Sequence, residues 1–251
     1  MRADVLLEVD GLFKSFGAVR AINDVSFELR EGAALGVIGP NGSGKSTLIN
    51  LITGFVRATS GRVIFQGQDV THVPAHRRVD LGMARSFQLA RPFYALPVYK
   101  NVVIPLYSPR ARKHSGAEFG DRDEAAVHLL EDVGFERDSA IPWKRAGELP
   151  HGYLKRLELA RVLALDPDLV ILDELFSGMS MSEIAGILPL LERIKAAGKT
   201  LLMVEHRLRE LFRVVDSVLM LQFGEKIAQG PPQEVMARPD VMEAYLGAEV
   251  P

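Results

Sequence analysis

The chain has 251 residues, 47% of them hydrophobic and 25% charged, so it can bury a substantial core and has the composition of a globular rather than a disordered protein. Its 30 basic and 32 acidic residues give no broad positive field, and we expect no nucleic-acid partner. The lack of cysteine excludes disulfides and thiolate chemistry, and no apolar run is long enough to cross a bilayer.

Two kinds of strand pattern occur along the chain. Partly apolar segments that predict antiparallel strands lie at 6–12, 21–29 and 61–67. Almost wholly apolar runs lie at 33–39, 169–172, 200–204 and 217–223. Runs of this second kind, separated by helix-like segments, are typical of strands buried on both faces of a parallel sheet. We therefore predict an α/β fold.

The first apolar run leads into a glycine-rich loop and then into the helical pattern STLINLIT, which Gly54 ends. The loop fits the phosphate-binding pattern GxxxxGK(S/T) with Gly39, Pro40, Asn41, Gly42, Ser43, Gly44, Lys45, Ser46 and Thr47. Its glycines let consecutive N–H groups point at phosphate oxygens, while Lys45 adds a positive charge and Ser46 a hydroxyl for Mg²⁺.

Charged and polar residues follow two other apolar runs. Asp173 and Glu174 end one run, and His206 follows another. Taken alone, the two carboxylates are equally well explained as surface charge, and a lone histidine is more often structural. Ligands of α/β proteins gather at the carboxyl ends of parallel strands, so together with the loop these residues predict a phosphate site. Asp173 would hold Mg²⁺ through water, and Glu174 would activate the attacking water.

With Gln88, which follows another partly apolar run, this set resembles the nucleotide-binding subunit of ABC transporters over essentially the whole chain. The resemblance implies a RecA-like P-loop NTPase core with a parallel sheet, an antiparallel β subdomain and a helical subdomain. The core and β subdomain would occupy about 1–88 and 160–251, and the helical subdomain about 89–159, within one ATP-binding domain spanning 1–251.

The resemblance also implies roles for individual residues in binding and hydrolysing ATP. GPNGSGKS looks like Walker A and LVILDE like Walker B, with Glu174 as the catalytic base. Gln88 resembles the Q-loop glutamine, a Mg²⁺ ligand, and His206 resembles the switch histidine. Phe16 resembles the aromatic residue that stacks on adenine, although the sequence equally allows a core residue there.

Three stretches narrow the resemblance to the ATP-binding subunits of branched-chain amino-acid importers: NLITGFVRATSGRVIFQGQDVT, ARSFQLARPF and RPDVMEAYLG. The lipopolysaccharide-export ATPase is similar in many of the same places and stays an alternative. Either resemblance implies transmembrane permease subunits, a second ATP-binding subunit (identical or different) and a location on the cytoplasmic face of the membrane.

The family's LSGGQ-type signature, which binds the partner's ATP at the start of a helix, corresponds here to Leu149, Pro150, His151, Gly152 and Tyr153. Proline replaces the serine, which suits the first helical turn but removes a hydroxyl and a backbone donor. After Walker B, Ser180 stands where the family often has aspartate or asparagine. We expect this segment to bind the partner's nucleotide more weakly. One alternative is that this segment is a plain turn before a helix. Another is that the chain is a nucleotide-gated module that does not hydrolyse ATP.

The segment between Gln88 and the signature predicts helical structure and a docking area. Residues 122–134 have helical periodicity, acidic residues near the start and a terminal glycine. The polar stretch 108–123 predicts a mobile loop. By resemblance, residues 90–102 would receive the permease, with Phe93 and Tyr94 as anchors, although both aromatics could instead fill the subdomain core.

Overall fold

The computed structural model describes residues 4–87, 91–114, 121–136 and 139–246. Within it the chain divides into two compact units, the first formed by residues 1–78 and 198–251 and the second by residues 79–197. Across the described ranges, no helix combines the length and the apolar character needed to span a bilayer. The predicted subdomain boundaries stay a prediction.

Ten strands are present in the described residues: β1 (Val5–Phe16), β2 (Val19–Arg30), β3 (Ala34–Ile38), β4 (Ser60–Phe65), β5 (Gln68–Asp69), β6 (Met83–Arg85), β7 (Leu169–Asp173), β8 (Thr200–Val204), β9 (Ser217–Gln222) and β10 (Glu225–Gly230). The same residues contain ten α-helices: α1 (Lys45–Ile52), α2 (Ala75–Leu81), α3 (Val98–Leu106), α4 (Pro109–His114), α5 (Arg122–Asp132), α6 (His151–Leu163), α7 (Met181–Ala196), α8 (Leu208–Leu211), α9 (Pro232–Met236) and α10 (Pro239–Leu246). Short 3-10 helices occupy Ile141–Trp143 and Ala146–Glu148.

The first unit contains both predicted kinds of strand. An antiparallel sheet has the order β2-β1-β4-β5, with Val9 opposite Phe27 and Val63. Strand β3 is parallel to β8 on one side and to β9 on the other, and β10 is antiparallel to β9. All residues of β3 and β8 are buried, as their uninterrupted apolar sequences predict. The sequence predictions for these strands are confirmed.

A buried arginine anchors the helix that follows the phosphate loop. The side chain of Arg78 is 2% exposed, and its guanidinium donates to four main-chain carbonyls. Two of them, Leu51 at 2.9 Å and Ile52 at 2.5 Å, lie at the carboxyl end of α1, and Val73 and Thr71 supply the others at 2.8 and 2.9 Å. The charge complements the negative end of the helix dipole and thereby holds α1 in place.

In the second unit β6 is parallel to β7, and helices α3, α5 and α6 pack on one another. The predicted helix over 122–134 is confirmed as α5, because Asp121 accepts the Asp123 N–H at 2.9 Å as its N-cap and Gly134 follows its end with a φ of 90°. The mobile-loop prediction is wrong for part of 108–123. Residues 109–114 form α4. This helix is held in place by Arg110, which is buried and whose guanidinium lies 2.9 Å from the Asp168 carboxylate. Residues 115–120 lie outside the described ranges.

Candidate nucleotide site

The predicted phosphate loop connects β3 to α1 in the first unit. Gly44 is the N-cap of α1 with a left-handed φ of 105°, which glycine adopts without a steric penalty. Lys45 begins the helix and is 6% exposed. Its ammonium group donates to the carbonyl oxygens of Gly39 at 2.8 Å and Pro40 at 2.9 Å. These acceptors are neutral, so the oxygens of a phosphate would make the stronger, charge-assisted hydrogen bonds.

Close packing of the loop main chain accounts for two of its glycines. A Cβ at Gly39 would overlap the carbonyl oxygen of Leu221, and one at Gly44 would lie 2.6 Å from that of Ala21. At both positions the main chain therefore lies too close to its neighbours for a residue with a side chain. Ser43 is 2% exposed, and its hydroxyl has no hydrogen-bond partner among the described residues. A buried hydroxyl without a partner is costly unless a ligand supplies one.

The remaining loop residues lie closer to solvent. Pro40 and Thr47 are half-buried, whereas Asn41, Gly42 and Ser46 are exposed. An exposed hydroxyl at Ser46 suits Mg²⁺, which binds oxygen ligands and keeps several of its own waters.

A tyrosine near the end of the chain contacts the loop and was not predicted. The Tyr245 hydroxyl in α10 lies near the Gly39 N–H, close enough for that group to affect its pKa. Burial raises the pKa of Tyr245 to about 12, although the hydrogen bond from Gly39 lowers it, so the phenol is protonated at neutral pH. The sequence MEAYLG marked a family resemblance and gave no signal that its tyrosine would lie at the phosphate loop.

Phe16 and His206 also lie in the first unit. Phe16 ends β1 and is 50% exposed, with the Lys14 ammonium 4.8 Å from its ring centroid, so the core-residue alternative is wrong. An exposed ring is available for stacking, and its role toward adenine stays a prediction. His206 is exposed and follows the buried Glu205 beyond the end of β8, where the sequence placed it.

Asp173 and Glu174 follow one another at the end of β7 in the second unit. Asp173 is 5% exposed, and its carboxylate lies 2.6 Å from the guanidinium of Arg85 at the end of β6. The Ser86 hydroxyl accepts the Asp173 N–H at 3.2 Å. Glu174 has a φ of 52°, a conformation that strains any residue with a side chain. Backbone strain of this kind clusters at functional sites, while the catalytic role of Glu174 stays a prediction. Sequence reasoning missed Arg85, whose only signal was a charge at the end of an apolar run.

Gln88 lies outside the described residues, and the residue before it is tied to α6. The Phe87 N–H donates to the carboxylate of Glu158, which is 5% exposed. Burial is the main cause that raises the pKa of Glu158, while the Phe87 hydrogen bond and the positive charge of Lys155 lower it. The signature helix and the chain just before Gln88 are therefore joined by one buried carboxylate.

The signature-like segment begins α6, with one difference from the prediction. Pro150 was expected inside the first turn but is the N-cap, with a φ of −57° and a ψ of 156°. This extended ψ belongs to the residue that precedes a helix, and proline fits because its φ is already restricted. His151 and Gly152 are the first helical residues, one exposed and the other buried, and the ring of Tyr153 packs edge-on against Phe135 at 5.1 Å.

Ser180 has a clear structural role. It is the N-cap of α7 and forms a capping box with Glu183, in which each residue's side chain accepts the other's main-chain N–H. This helix cap accounts for a serine at 180 without reference to nucleotide.

The proposed docking aromatics are not core residues. Phe93 is 49% exposed and Tyr94 is 52% exposed, so the alternative that they fill the subdomain core is wrong. The Phe93 main chain is held by Asn101, whose side-chain oxygen accepts its N–H at 2.6 Å. Their role as anchors stays a prediction.

Comparisons with known proteins show the family of this chain. Residues 22–177 match the ABC transporter family model, and residues 225–251 match the model of the branched-chain amino acid ATP-binding cassette transporter. The chain is 34% identical to a probable branched-chain amino acid transport ATP-binding protein, LivG, of Archaeoglobus fulgidus, covering 97% of this chain and 96% of that protein. It is 30% identical to BraF of Pseudomonas aeruginosa, a high-affinity branched-chain amino acid transport ATP-binding protein, over 96% of this chain and 98% of that one.

Among solved structures, the ADP conformation of MJ1267, an ATP-binding cassette of an ABC transporter, has a TM-score of 0.83 and 32% identity, covering 97% of this chain and 99% of that one. The chain therefore belongs to the ABC transporter ATP-binding family. It is an ATPase subunit of an ABC transporter, and the predicted fold is confirmed.

Proposed function

We propose that this ATPase subunit drives the import of branched-chain or related amino acids. The observation that carries the solute class is the match of residues 225–251 to the C-terminal model of branched-chain amino acid cassettes. Relatives whose names give the same solutes cover nearly the whole chain. The same C-terminal segment contains Tyr245, whose hydroxyl lies near the Gly39 N–H of the phosphate loop.

We also propose the residues that act on the nucleotide. Lys45 and the N–H groups of the loop would bind phosphate, Ser43 would donate its unpartnered hydroxyl, and Phe16 would stack on adenine. Mg²⁺ would be held by Ser46, Gln88 and Asp173, whose oxygen atoms suit it, and when bound it would neutralise phosphate charge. Glu174 would accept a proton from the attacking water, with His206 donating a hydrogen bond to the phosphate or the water.

The partners follow from the family. Dimers occur among solved cassettes of this fold. We propose that Pro150, His151, Gly152 and Tyr153 face the nucleotide of a second ATP-binding subunit, which differs from this chain, so that the altered segment serves only one of two sites. Permease subunits would dock at residues 90–102, on the cytoplasmic face of the membrane.

Nucleotide binding is tested by calorimetry with MgATP on the unaltered chain and on Lys45→Ala. We expect saturable heat from the first and none from the second, because the ammonium is the fixed charge of the loop. Glu174→Gln should keep the binding heat while turnover falls by about 10²- to 10⁴-fold. Equal heats from the chain and Lys45→Ala would refute the phosphate site.

Solute import is tested with the permease subunits that copurify from membranes. Reconstituted in vesicles with a binding protein, the assembly should accumulate radiolabelled leucine when ATP is supplied on the side of this subunit. An assembly that carries Lys45→Ala is the matched control. ATP turnover that responds to a lipid and never to leucine, isoleucine or valine would refute the proposed solute class.

A further inference from the structure

The start of α6 is occupied by a carboxylate from another segment of the second unit. The α6 first turn contains no acidic residue of its own. The Gly152 N–H donates to the carboxylate of Glu183, which lies in the first turn of α7. A Cβ at Gly152 would overlap Glu183 Oε1, so the close approach of this carboxylate itself requires glycine there.

Several hydrogen bonds hold Glu183 in this position. Its Oε2 accepts the Ser180 N–H at 2.7 Å and the Ser180 hydroxyl at 2.7 Å. These bonds are the first causes that lower the pKa of Glu183, and Gly152 and His151 lower it further, so the group is charged at neutral pH. A serine hydroxyl can donate to Glu183, whereas an aspartate at 180 would repel it.

A second contact joins the same two segments. The His151 Nε2 lies 3.1 Å from the Ser177 carbonyl oxygen, and a Cβ at Gly178 would lie 2.8 Å from that Nε2. The signature-like segment and residues 177–183 are thus joined at two places. The carboxylate provides negative charge at the positive end of α6, where main-chain N–H groups are available to anions.

We propose that Glu183 is an internal competitor for the start of α6, holding the Gly152 N–H in the separate subunit until a partner's nucleotide phosphate displaces it. This inference rests on the proposed pairing of two ATP-binding subunits. A carboxylate and a phosphate cannot both accept a hydrogen bond from the same N–H. Association of the two subunits around ATP therefore requires Glu183 to give up that hydrogen bond. Glu183 thereby raises the concentration at which ATP brings the two subunits together.

Glu183→Gln separates the charge from the helix cap. Glutamine at this position retains an oxygen that can accept the Ser180 N–H, so the capping box survives while the charge is lost. Glu192→Gln is the matched control, because it removes one carboxylate from an exposed position on the same helix. Circular dichroism and thermal unfolding establish that each variant is folded.

The readout is ATP-dependent association in a Glu174→Gln background, which prevents turnover. Sedimentation velocity measures it for this subunit alone and with the ATP-binding subunit that copurifies with it. Loss of one hydrogen bond at this solvent-accessible carboxylate should lower the concentration for half-association by about 3- to 10-fold. Glu192→Gln should leave it unchanged.

Unchanged or weaker association of Glu183→Gln overturns the inference. The inference is also overturned if no variant associates up to the highest soluble concentration, because the carboxylate would then not be what limits association of the subunits. MgATP binding by the dilute single subunit is measured in parallel and should not depend on Glu183. Absence of that binding would refute the proposed function separately, because it tests Lys45 and the phosphate loop alone.

Discussion

Replacing Arg78 by methionine should destabilise the first unit strongly. The side chain is 2% exposed and donates to four main-chain carbonyls within 2.9 Å, including those of Leu51 and Ile52 at the end of α1. Methionine fills a similar volume but donates no hydrogen bond. The variant therefore removes the donor of the buried Ile52 carbonyl at the far end of the helix that begins with Lys45, whereas the Leu51 carbonyl still accepts the Gly54 N–H at 3.2 Å.

The magnitude follows from two opposing effects. A buried acceptor that loses its donor costs about 1–3 kcal/mol, and three of the four bonds to Arg78 are fully buried. Burial also lowers the pKa of Arg78 to about 10, which shows that the charged group is itself poorly solvated, and methionine removes that penalty. We expect a net loss of about 3 kcal/mol, a large part of the stability of a typical domain.

Urea unfolding followed by circular dichroism measures this loss. Arg77→Met is the matched control, because Arg77 is the exposed neighbour on α2, and its effect should stay within about 0.5 kcal/mol. A loss below about 1 kcal/mol for Arg78→Met, with an unchanged slope, would refute the view that Arg78 anchors α1.

Three further predictions concern other buried or altered positions. Burial raises the pKa of Glu158 above 4.5, so ionisation of this carboxyl destabilises the folded chain. This penalty is absent below pH 4.5 and grows as the pH rises through the raised pKa. Glu158→Gln should therefore gain stability relative to the parent between pH 5 and 8 in urea unfolding, and a constant difference would contradict this. Tyr245→Phe should weaken MgATP binding by about 2- to 10-fold in calorimetry, because the Gly39 N–H loses a neighbouring hydroxyl that can orient it, and an unchanged affinity would exclude this role. Pro150→Ser should raise the ATPase rate of the assembled transporter by about 10-fold by restoring a hydroxyl, and equal rates would show that the proline is no impairment.

Several features of the fold could be predicted because their signals are local. The apolar runs that became β3, β7, β8 and β9 need only neighbouring residues to be recognised. The phosphate loop is equally local, since its glycines, Lys45 and the helix after it follow one another along the chain. These signals sufficed for the fold class and for the family.

The partners of charged side chains could not be predicted in this way. Arg85 and Asp173 are 88 positions apart in the sequence, and Phe87 and Glu158 are 71 apart. No periodicity relates such pairs. Whether Phe16 lies in the core or at the surface was also open until its surroundings were known.

The sequence alone therefore determined the α/β fold, the phosphate loop and its family, because these depend on hydrophobic periodicity and on the conformations that short glycine-rich stretches allow. Only the tertiary structure decided that Arg78 holds the end of α1 and that Glu183 holds the start of α6. Such contacts depend on which distant segments packing brings within hydrogen-bonding distance, and at Arg78 the low solvent exposure makes every unpaired group costly.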